Sequence, residues 1–262
     1  MTLYNSIRAE ILKLRYPPIV WLTGFIICIV LAIVFTGYYI DVNRAILLGR
    51  NPWNRLNGSI EAVFSLFIAV PFVVFLISSA VHIENQNHGF KQLYALPQSR
   101  TALLLNKLMS LLLFVLFSVL ILLFGQILIG YTLNVIYPES EFVYFELPLQ
   151  KMLLAYFQIV ISLLGIIGIQ FFLSFRFRGF LLPASIGIIG YIIGSILSSL
   201  NTPISFFFPF CYPGIARNRE MFDSSTLNID QVSILNKIEG YSILVFVLFI
   251  GLTIFFEKRK RI

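Results

Sequence analysis

Residues 82–107 read HIENQNHGFKQLYALPQSRTALLLNK, and this polar break decides how the rest of the chain folds. It lies between two long apolar runs, at about residues 61–81 and 102–131, each long enough to cross a bilayer core of roughly 30 Å at about 1.5 Å per residue. Inside the break, Phe90, Leu93, Tyr94 and Leu96 are set against Lys91 and Gln92. Gly89 opens this amphipathic piece, Pro97 stops it, and Ser99 caps the next helix. Such a segment forms a short helix along the membrane surface, tethered at both ends. Its pattern is that of a docking element and not of a catalytic loop.

Outward from the break the chain is apolar almost throughout. Of 262 residues, 58% are hydrophobic and 12% charged, and the mean hydropathy is +0.90. These values exclude an ordinary soluble domain. The polar stretches span roughly 20 to 40 residues, too few for a core of their own, so residues 1–262 are expected to form a single transmembrane domain. Spans are expected at about 18–40, 61–81, 102–131, 152–175, 179–200 and 239–256, six in all. The fold class is therefore all-α integral membrane. Cys28 and Cys211 offer neither a disulfide framework nor a metal spacing.

Residues 2–16 read TLYNSIRAEILKLRY. Leu3, Tyr4, Ile7, Ile11 and Leu14 share one face at helical spacing, with Asn5, Ser6 and Lys13 opposite, which describes a helix lying in the interface. Pro17 and Pro18 end it and turn the chain into the bilayer. The first apolar run is too long for a cleavable signal and lacks a small-residue cleavage site after it. Between the fifth and sixth spans, residues 201–237 begin with TPISFFFPFCYPG after Asn201. That stretch is too aromatic for a solvated loop and too rich in proline for a span, and it is expected to be re-entrant.

Six spans place both termini on one side, and the charges select the side. The terminal side carries twelve basic and three acidic residues, the other side seven and nine. By the positive-inside rule the termini and the 82–107 break are cytoplasmic, in a plasma (inner) membrane protein. The formal net charge of +7 is thus explained by topology, and nucleic acid is not expected as a partner.

Apart from Glu61, Lys107 and Glu239 near their ends, the expected spans hold no charged residue, which disfavours proton-driven transport through membrane carboxylates and leaves sodium bound by carbonyls open. His82, Glu84 and His88 form the only cluster with histidine, and their spacing does not put two ligands on one helical face, so no metal is expected. No acid pair or Ser/His dyad lies in the spans, so a membrane enzyme is poorly supported. The sequence contains no Gly-Lys pair and so no phosphate-binding loop; a nucleotide that drives transport is expected on another polypeptide. Gln126, Gln158, Gln170 and several serines in the spans read most simply as interhelical hydrogen-bond glue, with the lining of a substrate path as the other reading for some of them. In the fifth span Gly190, Gly194 and Ser198 recur every fourth position, a face that admits close approach, within the chain or between copies alike.

Taken together, the interfacial helix ending EILKLR (Glu10 to Arg15), the six spans, and the loop with Glu84, Gly89, Pro97, Ser99, Arg100 and Lys107 at their spacing resemble the ABC-2 type permeases. These are membrane subunits of ATP-driven exporters and include lantibiotic-immunity permeases. The FPFCYP stretch from Phe208 to Pro213 also looks like that group's outer region. Asn87-His88-Gly89-Phe90 departs from the common pattern of the group, which has Gly or Asn followed by Thr. The resemblance implies a type V exporter-like architecture, with an elbow helix carrying Glu10, Lys13 and Arg15. It also implies a coupling helix at 84–97 that fits a groove on the ATPase, with Phe90, Leu93 and Tyr94 as apolar contact and Glu84, Lys91 and Arg100 setting orientation. ATP and Mg would be bound by two copies of the ATPase, with no cofactor on this chain. A second permease, of the same or a related chain, would complete the path through the lipid bilayer. The cargo implied is amphipathic or hydrophobic: a peptide antibiotic, a drug or a lipid. The competing reading is a membrane anchor or sensor that recruits a cytoplasmic complex without transporting anything.

Overall fold

Pro17 and Pro18 open the first helix at the one place where a missing N–H removes no bond, since first-turn N–H groups have no intrahelical partner. From there helix α1 (Pro17–Ile40) runs on. The computed structural model describes residues 17–40, 51–86, 100–177, 179–200, 203–216 and 237–259. Helices α2 (Pro52–Val63) and α3 (Ala69–Gln86) are joined without a break by a π-helical segment, Phe64–Ile68. Then come α4 (Arg100–Ile136), α5 (Leu149–Arg176), α6 (Leu181–Ser199) and α7 (Lys237–Arg259). Among the described residues six helical passages are long and apolar enough to cross a membrane, with α2 and α3 making one of them. An all-helical answer is what lipid imposes, because backbone groups find no water there and must pair within the segment. The protein is a multi-pass membrane protein.

Six passages return the chain to its starting side. The terminal face, the one that carries Pro17 and Arg259, also carries the ends of α3 and α4 that flank residues 87–99. Residues 2–16 and the middle of the 82–107 break, residues 87–99, lie outside the described residues.

The second passage corrects the sequence reading. It starts at Pro52 and not near 61, because Asn51 caps it: its side-chain oxygen accepts from the Trp53 amide at 2.9 Å. A hydropathy reading misses this turn because Arg55, Asn57 and Glu61 dilute it, yet Trp53, Leu56 and Ile60 on the same helix are fully packed. The expectation of charges confined to the span ends therefore fails. Glu61, at 2% exposure, lies inside the second passage. Lys107, at 5%, lies inside the third and not in the loop before it.

The core runs along α3 and α5. Val73, Val74, Leu76 and Ile77 of α3 are buried, as are Leu163 and Ile166 of α5. By contrast Trp21 and Phe25 of α1, Phe117 and Phe124 of α4 and Leu244 and Val247 of α7 are exposed, as residues facing lipid are. Helices α5 and α7 run in the same direction and pack closely through small residues. A side chain at Gly168 would meet the Phe246 backbone at 3.0 Å, and Ser242 Oγ donates to Ile161 O at 2.7 Å while accepting from Gly165 N–H at 2.9 Å.

Candidate functional site

The second passage carries most of the polar chemistry, at three levels. Farthest from the terminal face, Asn57 and Glu61 stand one turn apart on α2, and the Asn57 amide donates to the Glu61 carboxylate. Gln126 of α4 donates to Asn57 Oδ1 at 2.8 Å and accepts from the Tyr156 hydroxyl of α5. All four residues are buried. Three passages are thus tied by one network around a carboxylate. Each buried polar group in it has a partner, which is the condition for such a network to hold and not weaken a core. Replacing Tyr156 by Phe takes away only the donor to Gln126 and is expected to cost about 1–3 kcal/mol through the acceptor left buried. A detergent-denaturation midpoint unmoved from wild type would refute this account of the cluster.

Directly beyond Glu61 comes the π segment. The Ala69 amide bonds to Phe64 O five residues back, and the Leu66 carbonyl accepts from the Tyr191 hydroxyl of α6 at 2.9 Å. Ser65, one turn past Glu61, has its hydroxyl buried without a hydrogen-bond partner among the described residues. A π turn inside an α-helix holds one more residue than the helix needs, and such turns concentrate at functional positions. One of the two elements that run from this cluster to residues 87–99, the second passage, therefore contains an irregular turn, braced by another passage.

Nearer the terminal face, Gln170 of α5 donates to Ser78 Oγ at 2.7 Å and to Pro183 O at 3.0 Å, linking the second, fourth and fifth passages. Gly187 is what makes room for it, since a Cβ there would meet Gln170 Oε1 at 2.7 Å. Closest to the face, Lys107 Nζ of α4 donates to Ala80 O of α3 at 2.9 Å. This bond joins the two helices on either side of residues 87–99. His82, one turn beyond Ser78, packs its ring 6.0 Å from Phe180.

Of the residues expected to engage a motor protein, Glu84 falls in the last turn of α3, which continues to Gln86, and Arg100 is the first residue of α4. Gly89, Phe90, Lys91, Leu93, Tyr94 and Pro97 lie outside the described residues, as do Glu10, Lys13 and Arg15. The small face of α6 is occupied from within the chain. A 3-10 turn, Pro203–Phe207, is followed by a second, Pro209–Cys211, within which the ring of Phe210 lies on Gly190 and its backbone on Gly194. Cys211 Sγ bonds to Gly194 O at 3.3 Å and Ser198 Oγ to the same carbonyl at 2.8 Å. Burial pushes the Cys211 thiol up from its ordinary pKa, with a hydrogen bond to Ser198 opposing, so it stays a protonated donor. Cys28, in contrast, is exposed.

Sequence reasoning found Gln126 and Gln170 but not their partners. Asn57, Glu61 and Ser65 at steps of four were the available signal. Among the described residues no group of three or more His, Cys, Asp or Glu is placed to hold a metal ion.

A family model described as ABC-2 family transporter protein matches residues 6–194. No curated protein and no solved structure matches the chain.

Proposed function

The chain belongs to the ABC-2 transporter family, and from that premise we propose that it is the membrane permease of an ATP-driven exporter whose ATPase is a separate polypeptide. The carrying observation is the family match over residues 6–194 on a chain of six membrane-crossing helices. In this reading the terminal face is cytoplasmic in a plasma membrane, as the basic residues on that side favour. Two ATPase copies bind ATP and Mg, and two permeases, identical or related, enclose the path. The cargo is amphipathic or hydrophobic, a peptide antibiotic, a drug or a lipid, and leaves the cell or the inner leaflet.

The handle is the segment from Glu84 to Pro97, with Phe90, Leu93 and Tyr94 in the motor's groove and Glu84, Lys91 and Arg100 orienting it. Residues 2–16 form the elbow helix, and residues 203–216 belong to a re-entrant outer segment. What supports the handle is its mounting. Lys107 fastens α4 to α3 beside it, so a push on residues 87–99 moves both helices together. The π segment between the handle and the Glu61 cluster supplies a place where such a push changes helix register instead of being absorbed by bending.

A pull-down of the full chain in mild detergent tests this directly. One co-purifying ATPase with phosphate-binding loops is expected, in company with one or two permease types; recovery of the chain without any ATPase under conditions that keep it folded would overturn the reading. A double substitution, Phe90→Asp with Tyr94→Asp, is expected to reduce ATPase recovery at least tenfold, on the order of the 2 kcal/mol or more that aromatic anchors of an interface carry. Charge reversal at Glu84, Lys91 and Arg100 that leaves both co-purification and coupled hydrolysis intact would count against those roles. A complex that hydrolyses ATP without responding to or moving any cargo would favour the anchor reading instead.

A further inference from the structure

At the terminal-face ends of α5 and α7 the two helices, in contact higher up at Gly168 and Phe246, leave a cavity of about 190 Å³ between them. Phe172, Phe175 and Phe256 wall it, and Phe172 packs edge-on to Phe249 at 5.7 Å, so the aromatic wall continues the helix contact. Arg176 and Arg259 line the same cavity, and both are exposed at its mouth. The Arg259 guanidinium is 4.4 Å from the centre of the Phe255 ring, a cation–π contact that fixes its position. Glu257 is buried in the wall, at 6% exposure.

We infer that this cavity binds the phosphodiester headgroup of an anionic phospholipid from the leaflet on the terminal face, with the acyl chains leaving over Phe172 and Phe256. Its depth is where headgroups are, at the ends of two membrane-crossing helices. Its charge is also apt: two guanidinium groups against one carboxylate leave one positive charge, which matches the single negative charge of a phosphodiester better than the double charge of a phosphate monoester. Arginines at helix C-termini offset the partial negative charge there by themselves. A cavity with an aromatic lining beside them is not needed for that, and it is what a lipid requires: apolar surface for the glycerol and chains below donors for the phosphate. The inference is independent of any ATPase.

The test uses the full chain in mild detergent, with dioleoylphosphatidylglycerol, dioleoylphosphatidylcholine and inorganic phosphate as probes. Phosphatidylglycerol is expected to remain bound in native mass spectrometry and to raise the thermal unfolding midpoint. Phosphatidylcholine, with the same chains, should do so at least tenfold more weakly, and millimolar phosphate should not displace the anionic lipid. The double variant Arg176→Gln, Arg259→Gln is expected to lose the preference for phosphatidylglycerol while keeping its lipid-free midpoint. Equal retention of the two lipids by the wild-type chain, or an unaltered preference in the double variant, would overturn the inference. Displacement by phosphate alone would also overturn it, in favour of a soluble anion. Should the double variant fail to fold, Arg259→Lys serves in its place: it keeps the charge but loses the fork, and it should weaken the preference without abolishing it. An unchanged preference in Arg259→Lys would then count against the site.

Discussion

Replacing Trp53 by alanine is expected to destabilise the protein by about 3–5 kcal/mol, the range for deleting a large aromatic from a packed core. Trp53 sits in the first turn of the second passage, directly after Pro52, at 1% exposure. Its indole N–H donates to Phe142 O at 2.9 Å, and its ring meets Phe142 and Tyr131 edge-on at 5.0 and 5.4 Å. Gly130 of α4 lies directly beneath the ring, with no space for even a Cβ. One side chain thus fastens the second passage, the third, and the loop after α4. Alanine leaves a hole bounded by two rigid helices, which do not collapse into it. Trp53→Phe separates the two contributions, since it keeps most of the ring but orphans the Phe142 carbonyl, for about 1–3 kcal/mol. Denaturation by sodium dodecyl sulfate monitored by circular dichroism reads both; a loss below about 0.5 kcal/mol for the alanine variant, inside the range of ordinary surface changes, would contradict this assignment.

The second large effect is expected at Gly194. A Cβ there would stand 2.8 Å from Phe210 Cβ and 2.9 Å from the Phe210 backbone, and backbone cannot step aside as a flexible side chain does. Gly194→Leu should therefore push residues 203–216 off α6. Overpacking costs about 1–3 kcal/mol, which corresponds to roughly 5- to 150-fold in the population of the detached form. Cys211 reports the change, because it is buried at 1% exposure in the packed form. Detachment exposes the thiol and removes the burial that raised its pKa, so maleimide labelling at neutral pH should accelerate in a Cys28→Ala background. Ile193→Ala, on the exposed side of the same helix, should leave the rate alone. If both variants label alike, Phe210 is not what the glycines are for. Faster labelling in the glycine variant alone ties the stripe to this chain and not to a second copy.

Most of the fold is legible in the sequence because lipid leaves the chain so few options. Long runs without a charge, such as 152–175, become helices of nearly the expected length, here Leu149–Arg176. What periodicity and hydropathy do not carry is anything that depends on which face meets which helix. Residues 52–60 read as loop, with Glu61 at the very edge of a span, because four polar side chains between Asn51 and Glu61 lower the local hydropathy. Only contact with Gln126 and Tyr156, distant in sequence, makes that turn part of the membrane core. The π segment has no sequence signature at all, since FSLFI reads as an ordinary apolar turn. Lys107 reads as part of the loop because its charge suggests water, whereas its ammonium has a backbone carbonyl to bond. The glycine stripe of α6 is recognisable as a contact surface, but periodicity does not say that Phe210, sixteen residues past Gly194, fills it.

Helix α4 has 37 residues and is about 55 Å long at roughly 1.5 Å per residue. The hydrocarbon layer is nearer 30 Å, so this helix must tilt or protrude, and the amount is set by membrane thickness. It does not tilt alone. Lys107 and Gln126, about 28 Å apart along it, are each bonded to the second passage, at Ala80 and at Asn57. Two fastenings that far apart make the pair a stiff plank. Longer lipid chains or added sterol, by steepening α4, would therefore lift the second passage with it and shift both ends of the 87–99 connection, making the protein a responder to the thickness of the bilayer around it.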